Sequence, residues 1–428
     1  MQLFCQSRDE ALAILLLLFY WARAIKASLP SSSQCAWIPE GPLSLEWSSK
    51  NICPAIVDDV AASQSGIWEP WASPPLCVHP PASQSRKSKY CVYTHTSFAG
   101  SHGMSIITTP AIAATVAPLV HGIDPAWTSS KSKWLSRTEP RDPAPYAVVD
   151  IPGKGKGVVA TADITKGELL FRERPVLVET MARPKYMGPN HQNKLLERAW
   201  ARLPPSERDA VLGLSHRSGA HVLRGIIDSN TFGMTLNGVP HSGLFPRISR
   251  INHSCRPNVY VRYTRSTLEL EVVAYRDISA GTELGVSYTP LNMLSRDRRQ
   301  VLLGWGFNCT CQLCSAPSRI LETSDANRQE VQLKLDELDE ARQATPGGGR
   351  DTVERIMEET LALMDHEGME AQRGDIYAIA AQVLLDMGDR DGAIYYGHMA
   401  VEALGEYAGM DSERTEEAVV FLDGLDEH

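Results

Sequence analysis

The chain has no surplus of basic residues. Its 42 Lys and Arg stand against 51 Asp and Glu, a net charge of −9. A general nucleic-acid binder needs a basic face, so this balance argues against that class and fits a basic protein partner instead. The chain also lacks an apolar run long enough to cross a bilayer. Within ALAILLLLFYWARA, residues 11–24, the run from Ala11 to Ala22 falls short of the roughly 20 residues a spanning helix needs. Its length suits the core of a secretory signal, with small residues at Ala22, Ala24 and Ala27, although Asp9 and Glu10 stand where a signal carries positive charge. A short anchor or an unstructured start is the competing reading. Nucleotide fingerprints are missing too. GKGKG at 153–157 has neither the Lys-Ser/Thr ending of a phosphate loop nor the dinucleotide spacing. No repeat covers the whole chain.

What is present is a chain of 428 residues with 43% apolar content, enough for two or three domains and a sizeable core. The cysteines fall into groups: Cys5 alone, then Cys35, Cys53, Cys77 and Cys91, then Cys255, Cys309, Cys311 and Cys314. Residues 28–142 are rich in Ser and Pro, with local strand and helix patterns in KYCVYTHTSF and GMSIITTPAIAATVAPLV. In an oxidising compartment the four cysteines of this region would form two disulfides; otherwise it reads as partly disordered. Near residue 142 the composition shifts to β-branched runs between Gly, Pro and Lys turns. A polar helical insert covers roughly 190–214, strands return at NVYVRYT and LELEVVAYRDI, and helices dominate from about 317, interrupted by TPGGG. Residues 373–404 resemble one tetratricopeptide-like hairpin.

Two clusters carry chemistry. CTCQLC puts Cys309, Cys311 and Cys314 within six residues, one ligand short of a tetrahedral zinc site. Cys255, in SRINHSCRPNVYV, is the candidate fourth; three unrelated buried or oxidised cysteines are the alternative. In that same stretch, polar groups flanked by β-branched residues are costly to bury unless something pairs with them. The glycines of GKGKG let a backbone approach an anion or carboxylate closely, although a plain turn reads the same way.

In their order, GKGKG, NHSCRPN, GTELGVSY at 281–288 and WGFNCTCQLC at 305–314 resemble a SET domain, the fold of protein lysine methyltransferases, over about residues 145–316. The chain is similar to fungal-type SET proteins and to the SET-and-MYND group, without the MYND module, since residues 180–225 contain no Cys. The resemblance implies that Asn252 and His253 face S-adenosylmethionine while Cys255 turns away to hold zinc with Cys309, Cys311 and Cys314. It also implies that Gly155, with Lys154 and Lys156, cradles the cofactor's methionine end, that Asn230 contacts the cofactor, that Phe307 lies against adenine, and that Tyr288 is the catalytic tyrosine. The plainer readings are a helix end for Asn230 and core packing for Phe307. Thr282 and Gly285 depart from the acidic and β-branched residues common in relatives, which predicts weaker support for that strand.

The expected architecture is α+β: a mostly β SET fold with a post-SET zinc segment, plus an α-helical, tetratricopeptide-like C-terminal domain. The expected divisions are a candidate signal at 1–27, a Ser/Pro/Cys region at 28–142, the SET domain at 143–316 and the helical domain at 317–428. A chain starting near Asp142 is expected to keep cofactor binding. The expected activity is methyl transfer from S-adenosylmethionine to a lysine of a protein, histone or non-histone. The expected partner is that protein substrate, with no direct nucleic acid, no stable membrane span and a monomeric state. The site of action is the nucleus or cytoplasm, or the secretory pathway if the N-terminus is a working signal. The rival functions are a SET-fold peptide-binding module without catalysis and a secreted protein that keeps the fold only.

Overall fold

The structure, a computed structural model, describes residues 68–79, 89–98, 102–120, 139–182, 186–216, 221–342 and 349–426. The candidate signal, Cys5, Cys35 and Cys53 lie outside the described residues.

Three sheets form the β body. The largest runs in the order β1 (Leu76–Val78), β2 (Tyr90–Phe98), β3 (His102–Thr108), β7 (Leu177–Thr180), β9 (Val239–Leu244) and β8 (Thr231–Leu236). Its pairs are antiparallel except β3 with β7, which run parallel. Alternation along β2 and β3 explains its two covered faces. Cys91, Tyr93, Met104 and Ile106 point into the main core with helix α1 (Pro110–Val120). Val92 and Ile107 point the other way, onto α2 (Pro189–Ala201), α3 (Pro205–Leu212) and α4 (Val222–Asn230). The insert expected at 190–214 is therefore helical, and so is the 110–120 segment. Cys77 and Cys91 sit directly opposite each other on β1 and β2 and are disulfide-bonded.

Strands β2 and β3 and helix α1, which precede residue 142, share this sheet and its core with β7.

A four-stranded sheet runs β10 (Asn252–His253), β13 (Glu283–Val286), β5 (Gly155–Ala160), β4 (Tyr146–Ile151). A three-stranded sheet runs β11 (Val259–Thr264), β12 (Glu269–Ala274), β6 (Leu169–Glu173). The turn between β4 and β5 needs φ of +76° at Gly153 and +71° at Gly155, a region that L side chains adopt only with strain.

Beyond the β body come α5 (Ser295–Gly304), α6 (Ser318–Arg342), α7 (Arg350–Glu367), α8 (Arg373–Asp386), α9 (Arg390–Tyr407) and α10 (Glu413–Asp426). α7 to α10 share a second core with part of α6, built from residues such as Ile356, Leu384, Ala393 and Leu404. No helix among the described residues is long and apolar enough to cross a membrane.

Candidate active site and metal centre

The site forms where β10 lies parallel beside β13, Asn252 opposite Gly285 and His253 opposite Val286. A side chain at position 285 would collide with Ser254, its Cβ reaching within 2.7 Å of the serine Cβ. Gly285 is thus the space through which the NHSC segment passes, which corrects the expectation of weak strand support. Asn258 pins the same place: its Nδ2 donates to the Glu283 carbonyl at 2.9 Å, and its Oδ1 accepts the Gly285 N–H at 2.8 Å. The acidic group missing at Thr282 stands one residue later. Glu283 accepts from Asn252 Nδ2 at 2.9 Å and from Lys154 Nζ at 2.6 Å.

Asn252 also donates to the Lys156 carbonyl at 3.3 Å, which ties the GKGKG turn to the NHSC segment. A Cβ on Gly157 would lie 2.8 Å from the Asn252 amide nitrogen, so glycine is needed for that approach. Lys156 itself turns outward to Asp150 at 2.9 Å. The structure therefore brings together Lys154, Lys156 and Asn252. Asn230 ends α4, with its amide donating to the Ser215 and Ile226 carbonyls at 2.7 and 2.8 Å. That is the helix-end role. Its own carbonyl accepts from Ser249, three residues before Asn252.

His253 is buried and its tautomer follows from its neighbours. Nδ1 accepts the Tyr288 backbone N–H at 3.0 Å, so the ring proton belongs on Nε2, which faces Cys255 Sγ at 3.2 Å. Both ring nitrogens are engaged within the protein.

Tyr288 donates its hydroxyl proton to the Ile251 carbonyl at 2.8 Å. Its ring centroid lies 5.3 Å from that of His253, 5.3 Å from Trp305 and 6.3 Å from Phe307. Burial, helped by the Glu283 charge, pushes the phenol up to about 12. It stays neutral at ordinary pH, with its proton committed and its oxygen lone pairs available to accept. Trp305, absent from the sequence-based site, belongs to this aromatic cluster; its place two residues before Phe307 in WGFNCTCQLC is the available signal.

Glu173 was also not foreseen. At the end of β6 its carboxylate accepts the Arg247 and Ile248 N–H groups at 2.9 and 2.8 Å, capping the 3-10 turn Ile248–Arg250 that leads into Asn252. Burial outweighs those two bonds and pushes the group up to about 7.

Behind His253 the four cysteines converge. Their sulfurs all lie within 4.8 Å of one another, with Cys255 Sγ 3.5 Å from Cys314 and 3.9 Å from Cys309. Tetrahedral zinc–thiolate bonds of about 2.3 Å require sulfurs about 3.8 Å apart. The donor set, its number and its spacing therefore fit one zinc ion. Within the cluster, hydrogen bonds from Cys255 draw the thiols of Cys309 and Cys311 down, while hydrogen bonds among the same sulfurs push those of Cys255 and Cys314 up.

Residues 155–289 match the SET domain family, so the chain carries a SET domain. The chain is similar to Set5-type lysine methyltransferases of fungi and to SMYD-type lysine methyltransferases. It is 29% identical to histone-lysine N-methyltransferase set5 of Schizosaccharomyces pombe over 63% of this chain and 81% of that protein. It is 43% identical to histone-lysine N-methyltransferase SET5 of Meyerozyma guilliermondii over 17% of this chain and 16% of that protein. Against histone-lysine N-methyltransferase SMYD3 of Homo sapiens the identity is 27%, over 37% of this chain and 38% of that protein. The chain thus spans most of the first relative and well under half of the other two.

Proposed function

We propose that the chain is an S-adenosylmethionine-dependent protein-lysine N-methyltransferase. The observation that carries this reading is the Tyr288 hydroxyl, fixed on the Ile251 carbonyl inside an aromatic wall and adjoining the segment threaded between Gly285 and the GKGKG turn. S-adenosylmethionine, when bound, supplies an electrophilic methyl group on a sulfonium. Lys154, Gly155 and Lys156 would hold its methionine end through their backbone, and Asn252, His253 and Phe307 would complete the site that holds it. Asn230 acts one step back, fixing Ser249 and hence the approach to Asn252.

The chain's own chemistry is positioning. A lysine amine with a reference pKa near 10.4 must lose its proton, at a cost of roughly 4 to 5 kcal/mol at neutral pH. The apolar walls formed by Tyr288, Trp305 and Phe307 disfavour the ammonium form and lower that cost. Tyr288, neutral and with its proton spent, accepts a hydrogen bond from the amine and aims its lone pair along the displacement line.

Cys255, Cys309, Cys311 and Cys314 hold one structural zinc as a post-SET centre. The α8–α9 hairpin acts as a tetratricopeptide-like surface. The substrate is a protein with an accessible lysine, met in the nucleus or cytoplasm. Labelled S-adenosylmethionine, incubated with the purified protein and either histones or a cell extract, tests the reading. Label on lysine supports it. Cofactor binding without transfer to any protein would make the chain a binding module instead.

A further inference from the structure

The two largest fully buried side chains of the described residues are both arginines, Arg298 on α5 and Arg328 on α6, each 1% exposed. Arg328 donates to the Cys255 carbonyl at 3.1 Å, to the Leu291 carbonyl, and to Glu367 at 3.3 Å. Arg298 donates to the Met293 carbonyl, while its Nε and Nη2, both buried, have no hydrogen-bond partner among the described residues. Burial, and after it the Arg298 charge, draw the Arg328 guanidinium down from its ordinary value. A third arginine, Arg256, meets Glu367 at 3.0 Å. Arg256 and Arg328 thus share the one carboxylate of Glu367, and Asp325 is taken up by the Ser295 N–H at 2.8 Å and by its hydroxyl. No carboxylate among the described residues pairs with Arg298, so its positive charge is buried without an ion-pair partner. Such a charge is costly unless something answers it.

The residue that Arg328 grips suggests the answer. Cys255 gives its carbonyl to Arg328 and its sulfur to the thiol cluster. Four thiolates around one divalent ion leave a formal charge of −2. We propose that Arg328, with Arg298 behind it, is the electrostatic counterpart of the loaded metal centre, so that metal loading and the seating of α5 and the first half of α6 stabilise each other. The proposal rests on the zinc reading above. The same arginines hold the carbonyls of Leu291 and Met293, in the segment that follows Tyr288. Their role is positioning, since neither touches a reacting group.

The test uses the full chain, zinc, and a competing chelator. Arg298→Gln removes the charge; Arg298→Lys keeps it. The parent should hold one zinc; a parent without zinc overturns the metal reading itself, and this proposal with it. Arg298→Gln should bind zinc about tenfold or more weakly, the usual scale for groups behind a metal ligand, while Arg298→Lys stays close to the parent. Melting gives the signature that a packing role would not: with zinc Arg298→Gln should melt below the parent, and with chelator above it. Equal zinc affinity in both variants, or a lower melting point in both states, overturns the proposal. Should the variants not fold, hydrogen exchange on the parent decides. Chelation should raise exchange over 318–330 and leave 390–407 unchanged; unchanged exchange over 318–330 overturns it.

Discussion

The two flanks of the SET body are joined to it in opposite ways. On the N-terminal side, residues 90–120 enter through backbone pairing, β3 against β7, and through an uninterrupted apolar core. On the C-terminal side the helices keep their own core and meet the body through side chains, many of them charged. Arg256 reaches Glu367, Arg265 reaches Glu416 at 3.0 Å, Arg262 donates to the Glu406 carbonyl at 2.8 Å, and Asp411 accepts the Ser266 N–H at 2.8 Å. Tyr260, Tyr275 and Tyr407 form the apolar part of the same seam. The signs of charge follow the division. From residue 317 the chain has 9 Lys and Arg against 27 Asp and Glu; before it, 33 against 24. The lesson is that a flank fused by backbone is part of the domain, whereas one held by matched charges can be loosened by altering one of them.

Truncation should show the largest contrast. A protein beginning near Asp142 loses three strands of the six-stranded sheet and helix α1, leaving β7 with an unpaired edge. It is expected to be insoluble or molten, whatever happens to the cofactor site. A soluble truncated protein with native near-ultraviolet circular dichroism would break the comparison.

At the other seam Glu367→Ala should cost about 3 to 5 kcal/mol, because it strands Arg328 in the interior. Denaturant unfolding of the full chain measures it. A loss under about 1 kcal/mol would place the seam's strength in the tyrosine cluster instead.

The pH response should be smaller and of opposite sign at two buried carboxylates. Burial alone would raise Glu367, but bonds from Ser324 and Asn327 and the Arg256 charge take it down to about 2. Its folded pKa lies below the unfolded value near 4.5, so its contribution is present above 4.5 and is lost as pH falls toward 2. Glu173 has two backbone N–H groups and is pushed up to about 7. Its folded pKa lies above the unfolded one, so stability falls as pH rises from 4.5 through 7. Glu173→Gln should flatten the upper slope of a stability–pH curve, and Glu367→Gln the lower. An upper slope unchanged by Glu173→Gln would mean that another group titrates there.

Much of the site was legible because its parts are local. The cysteine triplet, the GKGKG turn, the NHSC segment and Tyr288 are each set by a few adjacent residues, and their order along the chain carried the rest. What escaped depends on distant partners. The alternation in KYCVYTHTSF predicted a strand, but its place in the domain comes from a neighbouring strand's pairing with residues 177–179, some 70 positions later. Gly285 departs from the pattern common in relatives, and the reason, Ser254 packed against it, lies 31 positions earlier in the chain. Arg298, Arg328 and Glu367 stand in helical stretches where charge usually means a solvated face, yet all three are buried, with partners such as the Cys255 carbonyl far away in sequence.

The central claim, that Tyr288 orients an amine for methyl transfer, is tested most directly by Tyr288→Phe. The change keeps the ring among His253, Trp305 and Phe307 and removes the oxygen held by Ile251. Folding and S-adenosylmethionine binding should survive, while transfer of labelled methyl to a protein lysine falls about a hundredfold, equivalent to about 2.7 kcal/mol of transition-state stabilisation. Turnover within about threefold of the parent would contradict the account and reduce Tyr288 to packing.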